Sequence, residues 1–276
     1  MDPVRNTLSQ ISLERGSAGV ISNVVKLSVV IPAYNEGQRI SATLEDVNAY
    51  LSRQNYGYEI IVVDNGSNDN TCELVKEYQE KGYKHIVRLC IEPLGAKGSA
   101  VKYGIMNYAA GDFVVFMDAD NATPISEIEK FWPDLESGEY QVVIGSRYVN
   151  SAQVSEKQPF YRIFLSRIGN LLTRIMVDPT IKDTQLGFKA FAGPVAKDIF
   201  SLVTIPGWGF DMEVLTIAKK HGYRIREVGV LWRERGGSHV PLSGYLQTLR
   251  DLLKIKLNSF LGKYDTRVKT EKFSRI

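Results

Sequence analysis

Asp118 and Asp120 stand one residue apart at the end of the apolar run FVVFMD, and the polar residues Asn121 and Thr123 follow. Two carboxylates at a strand end can share a hard divalent cation whose remaining positions go to water and phosphate oxygens, which suits Mg²⁺ or Mn²⁺. A lone pair of this kind more often caps a helix and meets solvent, so its place at a strand end is what favours the metal. Asp64 closes a second apolar run, YEIIVVD. There it either stabilises the Asn-Gly turn that follows or accepts a hydrogen bond from an imide N–H such as that of uracil. Lys97, between glycines at a helix start, can hold an anion together with the free backbone N–H groups, or can simply be solvated. Arg147, Arg162 and Arg167 are suited to forked hydrogen bonds with a sugar diphosphate and a second phosphate, although the last two could equally line a solvated helix face. Asp211 and Glu213 open the helical stretch DMEVLTIAKKHG, where the helix dipole favours a carboxylate.

The elements that must position these groups alternate regularly. LSVVI (27–31), YEIIVVD (58–64), HIVRLC (85–90) and DFVVFMD (112–118) are continuous apolar runs, separated by helical stretches over 39–52, 69–81 and 97–109. Such alternation predicts an α/β domain with a buried parallel sheet and right-handed crossovers. Ligands of these sheets bind beyond the carboxyl ends of the strands, and the clusters YNE, DNGSND and DAD all fall there, on one rim. A strand at 141–147, a helix over 161–176, the loop KDTQLG, a helix over 211–222, a strand at 226–232 and a last helical run after Pro241 complete the chain. No repeat or low-complexity linker divides it.

Composition narrows the class further. With 276 residues and 44% hydrophobic content the chain can build a core, which excludes a disordered protein. A net charge of +3 is too weak for a nucleic-acid partner. The basic excess sits at the end, since eight Lys and Arg against three Asp and Glu lie between Leu242 and Ile276. Cys72 and Cys90 are too few for a disulfide framework and point to a reducing, cytoplasmic compartment. No apolar run approaches the roughly 18 to 20 residues of a membrane span, so a soluble or peripheral protein is expected.

Taken in order, VVIPAYNE (29–36), VVDNGSNDNT (62–71), LGAKGSAVKYGI (94–105), MDADNAT (117–123) and GSRY (145–148) resemble the family 2 glycosyltransferases with the GT-A fold. The resemblance implies an α/β domain with a mainly parallel central sheet flanked by helices. It places Pro32, Ala33, Tyr34, Glu36, Asp64 and Lys97 around the donor nucleoside, Asp118 and Asp120 on the metal and diphosphate, and Gln185 in a loop near the donor. Arg147 and Arg162 fall at phosphate-contacting places, and Arg167 joins them as a candidate for the acceptor phosphate. Asp211 and Glu213 fall where inverting members keep a catalytic carboxylate, with Asp120 and Arg147 completing the expected catalytic set. DTQLGFKAF (183–191), GWGFDMEVL (207–215), LWRERGGSH (231–239) and LRDLLKIKLNSFLGKY (249–264) are similar to the dolichyl-phosphate glucosyltransferase group of that family. That implies transfer of glucose from UDP-glucose to a polyprenyl phosphate. Ala122 agrees, because mannose synthases of the family usually carry a Gln there.

A phosphate acceptor needs no base, since a phosphomonoester with a second pKa of about 6 is already largely dianionic at neutral pH. Asp211 would then orient groups or balance the arginines. The alternatives are a saccharide hydroxyl acceptor, for which Asp211 must be a base, a synthase using GDP-mannose, and a nucleotide-sugar-binding subunit without activity. Trp208 and Phe210 are candidates for an acceptor wall or for core, and Trp232 for core. The expected organisation is a mobile leader over 1–26, a single catalytic domain over 27–264 with a nucleotide half (27–120) and an acceptor half (121–264), and a basic tail over 265–276. Within the acceptor half, an amphipathic helix over 242–262 aligns Leu242, Tyr245, Leu246, Leu249, Leu252, Leu253, Leu257, Phe260 and Leu261 in one apolar stripe beside Arg250, Lys254 and Lys256. With Lys263, Arg267, Lys269, Lys272 and Arg275 beyond it, peripheral contact with an anionic cytoplasmic membrane surface is expected.

Overall fold

Strand residues alternate between two faces, and in this chain both faces are covered, which is why the runs are apolar without interruption. The computed structural model describes residues 24–83, 86–92, 95–154, 179–233 and 242–266. Its first half runs β1 (Val25–Ala33), α1 (Ile40–Leu51), β2 (Gly57–Asp64), α2 (Thr71–Tyr78), β3 (Val87–Ile91), α3 (Lys97–Asn107) and β4 (Phe113–Met117). There follow a 3₁₀ turn (Ile125–Lys130), α4 (Trp132–Glu136), β5 (Val142–Ser146) and β6 (Gln153–Val154). After residue 178 come β7 (Phe188–Ala192), α5 (Gly193–Leu202), α6 (Phe210–Lys220), β8 (Ile225–Gly229), β9 (Leu231–Trp232) and α7 (Leu242–Phe260).

Seven strands form one sheet in the order β3-β2-β1-β4-β7-β5-β8, and β6 pairs with β9 apart from it. The pairs β1 with β2, β1 with β4, β2 with β3 and β5 with β8 are parallel. β7 runs antiparallel to both its neighbours, β4 and β5. On one face Val30, Ile61, Val63, Val114 and Phe116 pack under α3, α5 and α6. On the other, Val29, Ile31, Ile60, Val62 and Val115 pack under α1, α2 and the 125–135 segment.

The mainly parallel α/β architecture is as expected, with differences of detail. β1 begins at Val25, inside the stretch read as a leader, because Val25 pairs with Gly57 of β2. The helix expected over 69–81 ends at Tyr78 and passes into a wider turn over Gln79–Tyr83. β7, α5 and α4 were not foreseen. The helix expected over 161–176, with Arg162 and Arg167, lies outside the described residues, as do residues 1–23 and the tail from Arg267.

Candidate active site

β1, β2 and β4 are parallel neighbours, so their carboxyl ends share one rim, and a cleft of about 750 Å³ opens there. Pro32, Ala33, Tyr34 and Glu36 line it from the end of β1, with Asn65 from the end of β2. Lys97 enters from the start of α3, Asp118 and Asp120 from the end of β4, and Trp208 from the loop before α6.

The loop after β1 is laced to the loop after β2. Asn35 takes a left-handed conformation (φ 54°), its backbone N–H donates to Ser67 Oγ at 2.9 Å, and its Oδ1 accepts from Asn68 N–H at 2.8 Å. Glu36 N–H donates to Thr71 Oγ1 at 2.9 Å, and Gly37 N–H to Asp69 Oδ2 at 2.9 Å. The lacing leaves Tyr34 53% exposed on the rim. Asp64 serves the turn through one oxygen only: Oδ2 accepts from Gly66 and Ser67 N–H at 3.1 and 3.2 Å, while the buried Oδ1 has no hydrogen-bond partner among the described residues. A buried acceptor left without a donor is costly, and an incoming N–H would relieve it. Asp64 does not itself line the cleft; its neighbour Asn65 does.

The loop carrying the two aspartates is held from α1, where Thr43 Oγ1 donates to Ala119 O at 2.7 Å and Asn121 Nδ2 reaches Asp46 Oδ2 at 2.8 Å. Asp118 is placed from β7. Its N–H donates to Gly187 O at 3.1 Å, and a Cβ on Gly187 would lie 2.3 Å from both carboxylate oxygens, so only glycine leaves room for them. Lys97 Nζ donates to Asp118 Oδ1 at 2.5 Å and lies 5.2 Å from the Trp208 ring centroid. Gly98 allows this approach, since a Cβ there would meet Phe210 Cβ at 2.6 Å and Ile205 O at 2.8 Å.

Burial, and after it the adjacent Asp118 carboxylate, push the Asp120 carboxyl up. Burial likewise raises Glu36, against the opposing pull of its Arg39 partner at 2.7 Å. Burial opposes the charge of Lys97, but Asp118, Asp211 and Asp120 outweigh it and raise the lysine's pKa. The site therefore holds more facing carboxylate than its lysine balances, and a divalent cation fits that imbalance. Asp118 and Asp120, both lining the cleft, could supply two ligands and leave the others to water and phosphate.

Asp211 sits behind this pair, in the first turn of α6, and is buried. Its Oδ1 accepts from Nζ of Lys189, a fully buried lysine of β7 that also donates to Leu186 O at 2.7 Å. Burial outweighs the attraction of Lys189 and Lys97 and raises the Asp211 pKa. Glu213 does something else. Oε2 accepts from Thr204 and Ile205 N–H at 2.8 and 2.7 Å, and Oε1 from Thr204 Oγ1 and Tyr264 OH at 2.7 and 2.6 Å. With both oxygens occupied it ties the 204–205 loop to Tyr264, just beyond α7.

Arg147 follows β5 and is forked onto Asp183, with Nε and Nη2 at 2.8 and 2.9 Å from the two carboxylate oxygens. Burial opposes the Asp183 charge, yet Arg147 and its hydrogen bonds hold that carboxyl below the usual range. Arg147 does not line the cleft and stacks 5.5 Å from the Trp232 ring centroid, so Trp232 is half-buried beside a cation rather than plain core. Gln185 is exposed and away from the cleft lining. Of the two aromatic candidates, Trp208 is 54% exposed on the lip and Phe210 is core. Lys189, Asp183, Gly187 and the lining residue Gln247 of α7 were not anticipated. A lysine inside FKAFA was the available signal, because a buried ammonium requires an acceptor.

The sequence profile described as Glycosyl transferase family 2 matches residues 28–200. A dolichyl-phosphate beta-glucosyltransferase of Dictyostelium discoideum is 34% identical over 249 residues, covering 86% of this chain and 76% of the relative. The Homo sapiens protein of that name is 32% identical over 255 residues, covering 87% and 77%. Among solved structures, glucosyl-3-phosphoglycerate synthase from Mycobacterium tuberculosis with Mn²⁺ and UDP-glucose superposes with a TM-score of 0.60 at 21% identity, covering 86% of this chain and 79% of that one. The same synthase with Mg²⁺ and UDP gives a TM-score of 0.61, so the GT-A fold is shared.

Proposed function

This chain belongs to glycosyl transferase family 2, and on that premise we propose that it is an inverting, metal-dependent transferase moving glucose from UDP-glucose to a polyprenyl (dolichyl) phosphate. The observation that carries this reading is the meeting of Lys97, Asp118 and Asp120 in one cleft with Tyr34 and Trp208 at its lips. The names of the relatives support the sugar and the lipid acceptor, and the Mn²⁺, Mg²⁺ and UDP of the solved synthases support the cation and nucleotide. Asp64 Oδ1, buried without a donor, suits the imide N–H of uracil beside the 32–36 segment.

Mg²⁺ or Mn²⁺ held by Asp118 and Asp120 would supply charge to the diphosphate as the nucleotide departs. Lys97 adds a positive charge at the same place. An oxygen of the acceptor phosphate attacks the anomeric carbon opposite the nucleotide, the bond from that carbon to the diphosphate oxygen breaks, and UDP leaves with the electron pair. No proton must be removed. That agrees with Asp211, whose Oδ1 is occupied by Lys189 and which we assign to charge balance behind the site. Arg147 on its Asp183 fork, with Arg162 and Arg167, is assigned to the acceptor phosphate, and Gln185 to the donor side. The working unit, expected from 27, starts with β1 at Val25 and runs to 264, at the cytoplasmic face of a membrane; among the described residues no helix is long and apolar enough to cross one.

A panel of nucleotide sugars tested with a short-chain polyprenyl phosphate and Mg²⁺ or Mn²⁺ checks the reading. UDP-glucose should give a product that extracts into organic solvent, and excess chelator should stop its formation. Preference for GDP-mannose, or transfer only to a saccharide hydroxyl, overturns it.

A further inference from the structure

Helix α7 is apolar on two opposite sides, and among the described residues one of them packs on the domain while the other is left exposed. Leu252, Ile255 and Asn258 are buried against the domain at 2–3% exposure. Leu253, Leu257, Phe260 and Leu261 are between 56 and 88% exposed, and Leu249 is 42% exposed. At about 100° per residue the outward set spans an arc of roughly 120° opposite the buried set. The single stripe expected from the sequence is therefore two stripes.

Among the described residues, the charges around the outward arc have one sign. Lys254 and Lys256 flank it on either side, exposed Arg250 projects just inside its edge next to Leu249, where its long stem can carry the charge to the headgroups, and Lys263 is also exposed. The helix's acid, Asp251, turns inward, where a Cβ on Gly209 would meet its Oδ2 at 2.6 Å. Asp265, just past the helix, pairs with Lys220 at 2.8 Å.

We propose that the outward face of α7, with Leu253, Leu257 and Phe260 at its centre, docks in the plane of an anionic lipid bilayer, its apolar stripe at the acyl boundary and its flanking lysines among the headgroups. An apolar arc bordered by cations is the pattern of a helix lying in a membrane interface, and basic groups there gain from an anionic leaflet. A second copy of this chain suits the face poorly, because an isologous contact would set like charges against one another.

The helix can carry such a load because its end is clamped. Tyr264 OH donates to Glu213 Oε1 at 2.6 Å, and Tyr264 O lies 2.7 Å from His221 Nε2. Near its other end Gln247 lines the cleft, with Nε2 where a Cβ on Gly207 would lie 3.0 Å away. Docking would thus hold Trp208 and the cleft mouth close to the headgroups, where the proposed lipid phosphate resides; in this respect the inference deepens the functional reading and rests on it.

Flotation of the full chain with phosphatidylcholine vesicles, with and without phosphatidylglycerol, tests the face. The wild type should float with the anionic vesicles and release in high salt. Leu253→Ser/Leu257→Ser/Phe260→Ser and, separately, Lys254→Glu/Lys256→Glu should each lose binding at least tenfold. Turnover of a water-soluble short-chain prenyl phosphate should persist in both variants, which shows that they are folded. Wild-type binding by both variants, or a dimer in sedimentation that the triple variant abolishes, overturns the proposal. Vesicle binding as expected with no glucose transfer to any prenyl phosphate would overturn the acceptor assignment and leave the docking face standing.

Discussion

Replacing Gly187 by Ala tests whether β7 exists in part to seat the Asp118 carboxylate. The added Cβ would lie 2.3 Å from each carboxylate oxygen and 2.4 Å from Cγ. Ordinary contact begins near 3.4 Å, so the carboxylate must retreat by about 1.1 Å (3.4 minus 2.3). The obstructed group is the end of a side chain, and Gly187 has no left-handed φ, so the fold can yield by turning Asp118 off its rotamer at a cost of about 0.5–1.5 kcal/mol. The site cannot yield so cheaply. A shift of about 1 Å in a positioning group can cost on the order of 10²-fold in rate, or roughly 2.7 kcal/mol of activation free energy. Glucose transfer by Gly187→Ala should therefore fall about a hundredfold in kcat/KM, with Mn²⁺ binding weakened by paramagnetic titration and thermal stability nearly kept. A variant that keeps Tm and transfers within about threefold of wild type would refute the steric reasoning.

Lys189→Met should leave Asp211 buried without its cation and cost about 3–5 kcal/mol in denaturant unfolding, whereas Lys189→Met/Asp211→Leu should recover most of it. Because burial raises the Asp211 pKa in the folded state, the single variant should regain stability as pH falls and lose it as pH rises through that raised value; a pH-independent deficit would contradict this. Asp183 has the opposite sign. Its folded-state pKa is lowered, so its contribution is present above the ordinary aspartate value of about 4 and is lost only as pH falls through the lowered one. Arg147→Met should consequently move acid unfolding to higher pH, and an unchanged acid midpoint would show that the fork does not stabilise the fold.

The strands that end in chemistry were legible because each is a continuous apolar run closed by a charge, and a parallel sheet aligns such ends without further information. β7 was not legible. FKAFA is only five residues long and carries a lysine, and nothing local says that it enters the sheet antiparallel between β4 and β5. The same insertion brings Gly187 to Asp118 and Lys189 to Asp211, so the contacts that shape the site depend on the one strand whose place the sequence pattern left open. Lys97 could be placed at a helix start, but its salt bridge to Asp118, 21 residues away, follows only once α3 lies over the sheet.

One distinction was within reach of the sequence and bears on mechanism. Asp211 and Glu213 are two residues apart on a helix and so point about 200° apart, which prevents both from facing one site. Glu213, fully buried, turns away from the cleft, its oxygens filled by Thr204, Ile205 and Tyr264, and Asp211 lies behind the cleft. Asp211 Oδ1 is in turn engaged by Lys189, and Asp211, 3% exposed, is outside the cleft lining, so neither carboxylate reaches an acceptor hydroxyl in the cleft. A general base must reach the proton it removes. An acceptor that arrives already deprotonated makes no such demand, and a phosphate monoester is the acceptor this arrangement suits. Asp211→Asn should therefore impair glucose transfer to a prenyl phosphate without adding an acid limb to its pH profile, and an acid limb present in the wild type and abolished in that variant would restore Asp211 as the base.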